Sequence, residues 1–383
     1  MRPRVLAFMP EKKDITGVTF ARITGPLARL REQGYPIDWI PYSQARQLAT
    51  EGKGISRYDV YVFQRAGDTD GKLLTLIEFL KDAGKVVVYE TDDDYTNEYR
   101  NVIDADAVSV AAESTVLTVS TPLLRTQMRK HIGDKPTYLL QNNIDLDFWD
   151  SVPYKRIVPS PSIGLVGTPT HFDDWIHAKP ALFRIAEEYP GVHFVIGGML
   201  PQYLQDLPRM IHLKPVKYYA YPAMVHQIDI GLAPLDEEDR FNWSKSAIKA
   251  LEYWSSGAAC IASNAPPYKR VIEHGETGFL VDNKDPDEWY RRIKDYLDNP
   301  GLRRQHAAAG REWVRKNRNM QTNAILWWAV YEESWKKYGG VINEYKLFER
   351  SVGDRPTSGE GVGSDHLPPV SSHGGKRRRR HAH

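Results

Sequence analysis

The chain alternates short apolar runs with amphipathic runs, and this alternation occurs twice. In the first half, KVVVYE and TVLTVS are almost continuously apolar and β-branched, as in strands that are buried on both faces of a parallel sheet. Helical patterns such as LLTLIEFLKDAG lie between such runs. Strands that alternate with helices predict βαβ units, and hence an α/β fold with parallel sheets.

The alternation restarts after a segment rich in Pro and Ser at about residues 150–161. We therefore predict two Rossmann-like, doubly wound domains that face a cleft, with 1–155 as the N-terminal domain and 156–320 as the C-terminal domain. Residues 321–345 contain the apolar run AILWWAVYEESW, which predicts a helix that packs back on the N-terminal domain. Residues 346–383 are poor in hydrophobic residues and predict a disordered tail.

Composition restricts the class of protein. The chain is 41% hydrophobic and 26% charged, and no apolar run reaches the ~20 residues that cross a bilayer, so we expect a soluble protein without a membrane span. Cys260 is the single cysteine, which excludes an intrachain disulfide and suits a cytoplasmic location. The formal charge of +2 includes the run Lys376–Arg380, and without those five cations the chain is slightly acidic. Nonspecific polyanion binding would therefore concentrate in the tail.

The stretch SKSAIKALEYWSSG carries an unusual charged stripe. It predicts a helix from Lys245 to about Ser256, with Ser244 as the N-cap. At the helical repeat, Lys245, Lys249 and Glu252 fall within about 60° of one another, while the apolar positions lie on another side. The helix thus has one packed side and one narrow charged stripe.

Two interpretations of this stripe remain open. Lys249 and Glu252 could form an ordinary i, i+3 surface pair. Alternatively, the stripe binds an anion, because the strand DIGLAPL immediately before it delivers the chain to the edge of the sheet where ligands bind. A lysine in a first helical turn is unfavourable unless an anion is present. Lys245, Ser246 and Lys249 would then hold a diphosphate, and Glu252 would accept hydrogen bonds from ribose hydroxyls.

The stretch SKSAIKALEYWSSGAACIASNAPPYKRVIEHGETGFLV resembles the donor-binding region of retaining glycosyltransferases with the GT-B fold, the glycosyl transferases group 1 family. Glu252 matches the ribose-binding glutamate of that family. The segments QNNIDLDFW and IGLVGTPTHFDDW match further parts of the family pattern in the same order, and the resemblance extends to about Tyr338.

The resemblance implies a GT-B fold whose C-terminal domain holds a nucleotide-diphosphate sugar, most often a UDP- or GDP-sugar, and whose last helix crosses back. It also implies glycosyl transfer to a hydroxyl with retention of configuration, and neither a metal nor a cofactor is obligatory. The chain departs from the common pattern, because Ser244 stands where many members carry a first glutamate. Thr168 and His171 occupy the loop where Arg and Lys are usual, and Asp92 or Asp93 stands in place of a histidine.

Candidate site residues follow from these comparisons. The predicted catalytic residues are Asp92, Asp93 and Lys245. The predicted donor-binding residues are Gly17, Gly167, Thr168, His171, Lys245, Ser246, Lys249 and Glu252. The run TDDDY also has the D-x-D spacing of metal-dependent transferases, so acceptor contact, metal binding and a loop role are alternatives for its carboxylates. We predict no metal site.

The sequence leaves the acceptor and some alternatives open. The acceptor could be a glycan, a protein or modified bases of DNA, with the basic tail as a DNA tether. Two further alternatives are a GT-B scaffold that binds nucleotide sugars or glycans without turnover, and a sugar-nucleotide epimerase.

Overall fold

Two six-stranded parallel sheets organise the chain. The computed structural model describes residues 1–10, 15–44, 57–68, 71–97, 102–285 and 287–340, and the predicted tail at 346–383 lies outside these residues. The N-terminal sheet has the order β2-β1-β3-β4-β7-β8, and the C-terminal sheet has the order β11-β10-β9-β12-β13-β14. A short antiparallel pair, β5-β6, follows β4 in the chain.

The strands of the N-terminal domain are β1 (Val5–Met9), β2 (Ile37–Pro41), β3 (Val60–Gln64), β4 (Val86–Thr91), β5 (Thr96–Asn97), β6 (Val102–Ile103), β7 (Val116–Val119) and β8 (Thr137–Leu139). Those of the C-terminal domain are β9 (Ser162–Gly167), β10 (His193–Gly198), β11 (Met210–Leu213), β12 (Ile230–Ala233), β13 (Ala259–Ser263) and β14 (Phe279–Val281). Every residue of β4 is buried, as its apolar sequence predicts. The parallel α/β architecture expected from the sequence is confirmed.

The helices cover both faces of the two sheets. In the N-terminal domain they are α1 (Gly17–Thr19), α2 (Gly25–Glu32), α3 (Lys72–Asp82), α4 (Ala105–Glu113), α5 (Pro122–Ile132) and α6 (Leu146–Ser151). A π-helical turn, Phe20–Thr24, joins α1 to α2. In the C-terminal domain they are α7 (Phe172–Trp175), α8 (Lys179–Glu188), α9 (Tyr221–Val225), α10 (Arg240–Ser244), α11 (Ile248–Ser255), α12 (Pro266–Lys269), α13 (Glu288–Asp298) and α14 (Pro300–Asn317). The chain then continues through α15 (Met320–Asn323) and α16 (Ile325–Tyr338).

The strand order locates the crevice of each domain. In the C-terminal sheet the winding direction reverses between β9 and β12, so the loops after these two strands diverge from the sheet and leave a crevice between them. In the N-terminal sheet the reversal lies between β1 and β3. Ligands of doubly wound sheets bind at such positions, beyond the carboxyl ends of the strands.

Helix α16 packs against the N-terminal sheet. Its buried aromatic residues, Trp327, Trp328 and Tyr331, lie in one apolar cluster with Val5 of β1 and Ile23 of the π-helical turn. This burial explains why so apolar a sequence follows the last strand. Among the described residues, no helix combines the length and apolar character that spanning a bilayer requires.

The contact between α11 and α14 allows a test of core packing. Trp254 is fully buried, and a Cβ placed at Gly310 of α14 would lie 2.3 Å from its Cδ1 and Nε1 atoms. Overpacking of this kind costs about 1–3 kcal/mol, whereas replacing a helical glycine by alanine gains about 0.5–1 kcal/mol. We therefore expect Gly310→Ala to lower the melting temperature, as measured by thermal unfolding. Gly191→Ala is the control, because a Cβ there meets nothing within 4 Å. Equal melting temperatures for the two variants would contradict this account.

Candidate active site

The segment before α11 differs from the sequence prediction. The predicted helix from Lys245 is wrong at its start, because Lys245 is extended (φ −62°, ψ 158°) and α11 begins at Ile248. Ser244 is the last residue of the short helix α10 and does not cap α11. The reason is tertiary: the Thr121 hydroxyl donates to the Ser244 carbonyl at 2.8 Å, and the Asn142 amide donates to Ser246 Oγ at 2.9 Å. These contacts from the N-terminal domain accompany the break in helical structure.

Lys249 and Glu252 form a hydrogen-bonded pair inside the protein. Lys249 Nζ lies 2.8 Å from Glu252 Oε2, and their side chains are only 18% and 8% exposed. The Tyr221 hydroxyl donates to the same Glu252 oxygen at 2.7 Å and accepts from Lys249 Nζ at 2.9 Å. The i, i+3 pair considered from the sequence therefore exists, but it is largely buried and is not a solvated surface pair.

The loop after β9 brings His171 close to the sheet. Gly167 ends β9, and a Cβ at this position would lie 3.2 Å from His171 Cδ2 and 3.0 Å from the Trp175 ring. A larger residue here would require the two rings to move by a few tenths of an ångström. Thr168 precedes the turn that carries His171, and its carbonyl accepts from the His171 N–H at 3.0 Å. All three predicted donor-loop residues thus lie at the carboxyl end of β9.

One buried carboxylate joins the loops on the two sides of the C-terminal crevice. Asp174 is 2% exposed, and its Oδ2 lies 3.1 Å from His171 Nδ1 and 3.6 Å from Lys245 Nζ. Its Oδ1 accepts from the Asp236 N–H at 2.9 Å and from the Asn242 amide at 2.8 Å. Asp174 therefore connects the loop after β9 with the segment that runs from β12 to α11.

The local electrostatics keep this carboxylate charged and His171 neutral. Burial lowers the pKa of His171, and the positive charges of Lys245 and Lys249 lower it further, although the hydrogen bond to Asp174 acts in the opposite direction. Burial alone would raise the pKa of Asp174, but its hydrogen bonds and the nearby Lys245 hold this pKa below the usual value. An ionised aspartate thus faces a neutral imidazole at physiological pH.

A buried polar network connects the N-terminal domain to the segment before α11. Arg22 and Glu90 form a fully buried ion pair at 2.8 Å. Arg22 also donates to the Leu140 carbonyl and, at 2.9 Å, to Asn142 Oδ1. Asn142 in turn donates to Ser246, so the network reaches a predicted donor-binding residue.

The predicted acidic residues lie at the carboxyl end of β4, on the N-terminal side. Asp93 pairs with Arg65 at 2.9 Å, and Arg65 itself has a positive φ of 51°. Burial raises the pKa of Asp92 to about 7, with further contributions from Asp93, and Arg65 acts in the opposite direction. The Ser120 hydroxyl lies 3.3 Å from the Asp92 carbonyl, and the adjacent Thr121 contacts Ser244. Asp92 and the segment before α11 therefore both contact one short segment after β7.

Gly17 lies where the two domains meet. It begins α1, and a Cβ there would lie 3.3 Å from the Tyr218 ring of the C-terminal domain. Phe20, in the following π-helical turn, packs on Tyr218 with a ring-centroid separation of 4.7 Å and on Phe148 at 5.1 Å. Tyr218 thus forms part of the domain contact.

The structure also reveals site residues that the sequence prediction missed. Asp174 follows β9 in HFDDW, and its position shortly after the carboxyl end of a strand could have identified it. Tyr221, Asn142 and Arg22 gave no such signal, because each is far in sequence from the groups that it contacts. Among the residues that the structure describes, no group of three or more His, Cys, Asp or Glu side chains is placed to hold a metal ion.

Comparison with known proteins identifies the domain. Residues 161–299 match the family model described as glycosyl transferases group 1. The chain carries a glycosyltransferase group 1 domain. The enzyme class predicted from the sequence, a glycosyltransferase, is therefore confirmed. No curated protein sequence matches the glycosyltransferase significantly.

Solved structures share the fold of this glycosyltransferase at low sequence identity. HepE from Anabaena, solved with UDP-glucose, is 14% identical with a TM-score of 0.63, and the match covers 87% of this chain and 100% of HepE. Sucrose-phosphate synthase from Thermosynechococcus elongatus is 13% identical with a TM-score of 0.61, at 87% and 100% coverage. An α-glucosyltransferase solved with UDP-glucose and DNA containing an abasic site is 12% identical with a TM-score of 0.63, at 86% and 100% coverage. The predicted GT-B fold is thereby confirmed.

The raised pKa of Asp92 predicts a distinct dependence of stability on pH. The folded protein holds a proton on Asp92 up to about pH 7, whereas the unfolded chain releases it near pH 4. The unfolded state therefore binds fewer protons between these values, and Asp92 destabilises the fold increasingly as pH rises through this window. We expect Asp92→Asn to gain stability relative to the native protein between pH 5 and pH 8, by on the order of 1–2 kcal/mol.

Denaturant unfolding at both pH values measures this difference. Asp206→Asn removes an exposed carboxylate and controls for the loss of one negative charge. The interpretation is wrong if the advantage of Asp92→Asn over the native protein is the same at pH 5 and pH 8.

Proposed function

We propose that this glycosyltransferase moves a sugar from a UDP- or GDP-sugar to an acceptor hydroxyl, with retention of anomeric configuration and without an obligatory metal. The observation that carries the proposal is the convergence of Lys245, Lys249, Glu252 and His171 beside the crevice between β9 and β12. HepE, which has the same fold, was solved with UDP and glucose and with UDP-glucose, which supports a nucleotide sugar as the donor.

Each residue of this group has a chemical role in the proposal. Lys249 has three N–H donors, of which two serve Glu252 and Tyr221, so a third is available to a phosphate oxygen. Lys245 is 15% exposed and adds a second positive charge. Glu252 has a second carboxylate oxygen, Oε1, with which it can accept hydrogen bonds from ribose hydroxyls. The site thus offers cations to a diphosphate and an acceptor oxygen to a ribose.

The proposed reaction exchanges one bond at the anomeric carbon for another. The bond from the anomeric carbon to the diphosphate oxygen breaks, and the acceptor oxygen bonds to the anomeric carbon on the same face. The departing diphosphate oxygen takes the proton of the acceptor hydroxyl, so no enzyme nucleophile is needed. Lys245 and Lys249 stabilise the negative charge that develops on the diphosphate, and one such donor typically contributes ~10²–10³ in rate. Asp92 and Asp93, from the opposite domain, would contact the acceptor.

The central test removes the carboxylate that would bind ribose. We expect Glu252→Ala to reduce kcat/KM for the donor by roughly 10–100-fold, because a hydrogen bond to a charged group contributes about 1.5–3 kcal/mol. A panel of UDP- and GDP-sugars, first ranked by the rise in melting temperature on binding, supplies the donor, and release of the nucleoside diphosphate measures turnover.

Glu312→Ala is the matched control, since Glu312 also forms an i, i+3 pair, with Arg315, but on the exposed surface of α14. Unchanged transfer and donor hydrolysis in Glu252→Ala would refute the assignment. Binding without transfer or hydrolysis would favour a non-catalytic scaffold, and conversion of the donor sugar in the absence of acceptor would favour an epimerase.

Modified DNA bases are a second candidate acceptor. The basic run Lys376–Arg380 favours them, and an α-glucosyltransferase of the same fold was solved with DNA. We expect DNA binding to weaken steeply with salt and to be lost when residues 375–383 are deleted, as measured by fluorescence anisotropy. Absence of DNA binding at low salt would instead leave a glycan or protein as the acceptor.

A further inference from the structure

The contact between Asp174 and His171 determines which nitrogen of the imidazole carries the proton. Asp174 Oδ2 lies 3.1 Å from His171 Nδ1, within hydrogen-bonding distance. An ionised carboxylate can only accept hydrogen bonds, so Nδ1 must be the nitrogen that carries hydrogen. In a neutral imidazole the other nitrogen, Nε2, then has a lone pair and no hydrogen.

Asp174 is rigidly held in this orientation. Its Oδ1 accepts two hydrogen bonds, from the Asp236 N–H and the Asn242 amide, and its side chain is 2% exposed. Rotation of the carboxylate out of this plane would break both bonds while the side chain is buried, which makes such a rotation costly. The ring of His171 also packs closely on Gly167, where a Cβ would lie 3.2 Å from its Cδ2 atom.

His171 lies among the predicted donor-site groups. Its side chain is about one-fifth exposed, in the loop after β9, and Lys245 and Lys249 are close enough to affect its charge. A nitrogen that carries only a lone pair repels phosphate oxygens, which are themselves acceptors, but it accepts a hydrogen bond from a hydroxyl.

We infer that Asp174 is a positioning residue that fixes His171 as the Nδ1–H tautomer, so that His171 Nε2 accepts a hydrogen bond from a hydroxyl of the donor sugar and does not bind the diphosphate. The sugar contact rests on the proposed function, whereas the tautomer does not. His171 is then a determinant of sugar specificity, and Lys245, Ser246 and Lys249 bind the diphosphate. This division of roles distinguishes the site from one in which a cationic side chain after β9 would bind phosphate.

Long-range ¹H–¹⁵N correlation spectra of the full-length protein at pH 7.5 test the tautomer without any ligand. We expect His171, identified by the signals that disappear in His171→Phe, to be the Nδ1–H form. Asp174→Asn should shift it toward the Nε2–H form, because the amide side chain can donate to Nδ1. The control Asp173→Asn, an exposed neighbour, should leave the native signals unchanged. An Nε2–H or doubly protonated His171 in the native protein would overturn the inference.

Binding of UDP and of UDP-glucose, measured by calorimetry, tests the sugar contact. We expect His171→Phe to weaken UDP-glucose binding about 10-fold and to change UDP binding less than about 2-fold. An equal loss for both ligands would place His171 on the diphosphate, and an unchanged affinity for UDP-glucose would show that no sugar contact exists; either result overturns the inference. If the native protein binds neither these ligands nor their GDP counterparts, the proposed function fails together with the sugar contact, and the spectra still decide the role of Asp174.

Discussion

The buried ion pair between Arg22 and Glu90 is the interaction on which the arrangement of the cleft depends. Both side chains are fully buried, so each charge is stabilised only by groups inside the protein. Arg22 contacts β4 through Glu90, the chain after β8 through Leu140 and Asn142, and α16 through Trp327, whose indole donates to the Arg22 carbonyl at 3.0 Å. Through its guanidinium and its carbonyl, Arg22 therefore contacts three parts of the chain that are far apart in sequence.

The π-helical turn gives Arg22 this position. The five residues Phe20–Thr24 form the wide turn between α1 and α2, and such turns often occur at functional sites. Within this turn, Arg22 reaches the polar network while Phe20 packs on Tyr218 of the C-terminal domain. The same short segment thus supplies polar contacts within the N-terminal domain and an aromatic contact to the C-terminal domain. Asn142 extends the polar contacts to Ser246 of the C-terminal domain.

A buried carboxylate has the corresponding role on the C-terminal side. Four groups contact the two carboxylate oxygens of Asp174. They are the backbone N–H of Asp236, the side-chain amide of Asn242, the ring of His171 and the ammonium group of Lys245. Loops at the carboxyl ends of β9 and β12 leave the sheet in different directions. Without such a contact, the distance between the two loops would not be fixed. The candidate donor site is therefore held from both sides, by Asn142 from one domain and by Asp174 from the other.

The sequence by itself determined the class of fold, because runs that are apolar on both faces, such as β4, alternate with helical patterns, as in a parallel sheet covered by helices. It also predicted correctly that α11 carries both Lys249 and Glu252, since these positions follow from the helical repeat alone. It could not predict that Lys245 lies outside this helix, because hydrogen bonds from Thr121 and Asn142, more than 100 residues away in sequence, accompany the break at Ser244 and Ser246. The helical repeat in the sequence indicates which residues share a helix face. Only the tertiary structure decides which other groups complete the site, as Tyr221 does for Glu252 and Asp174 does for His171.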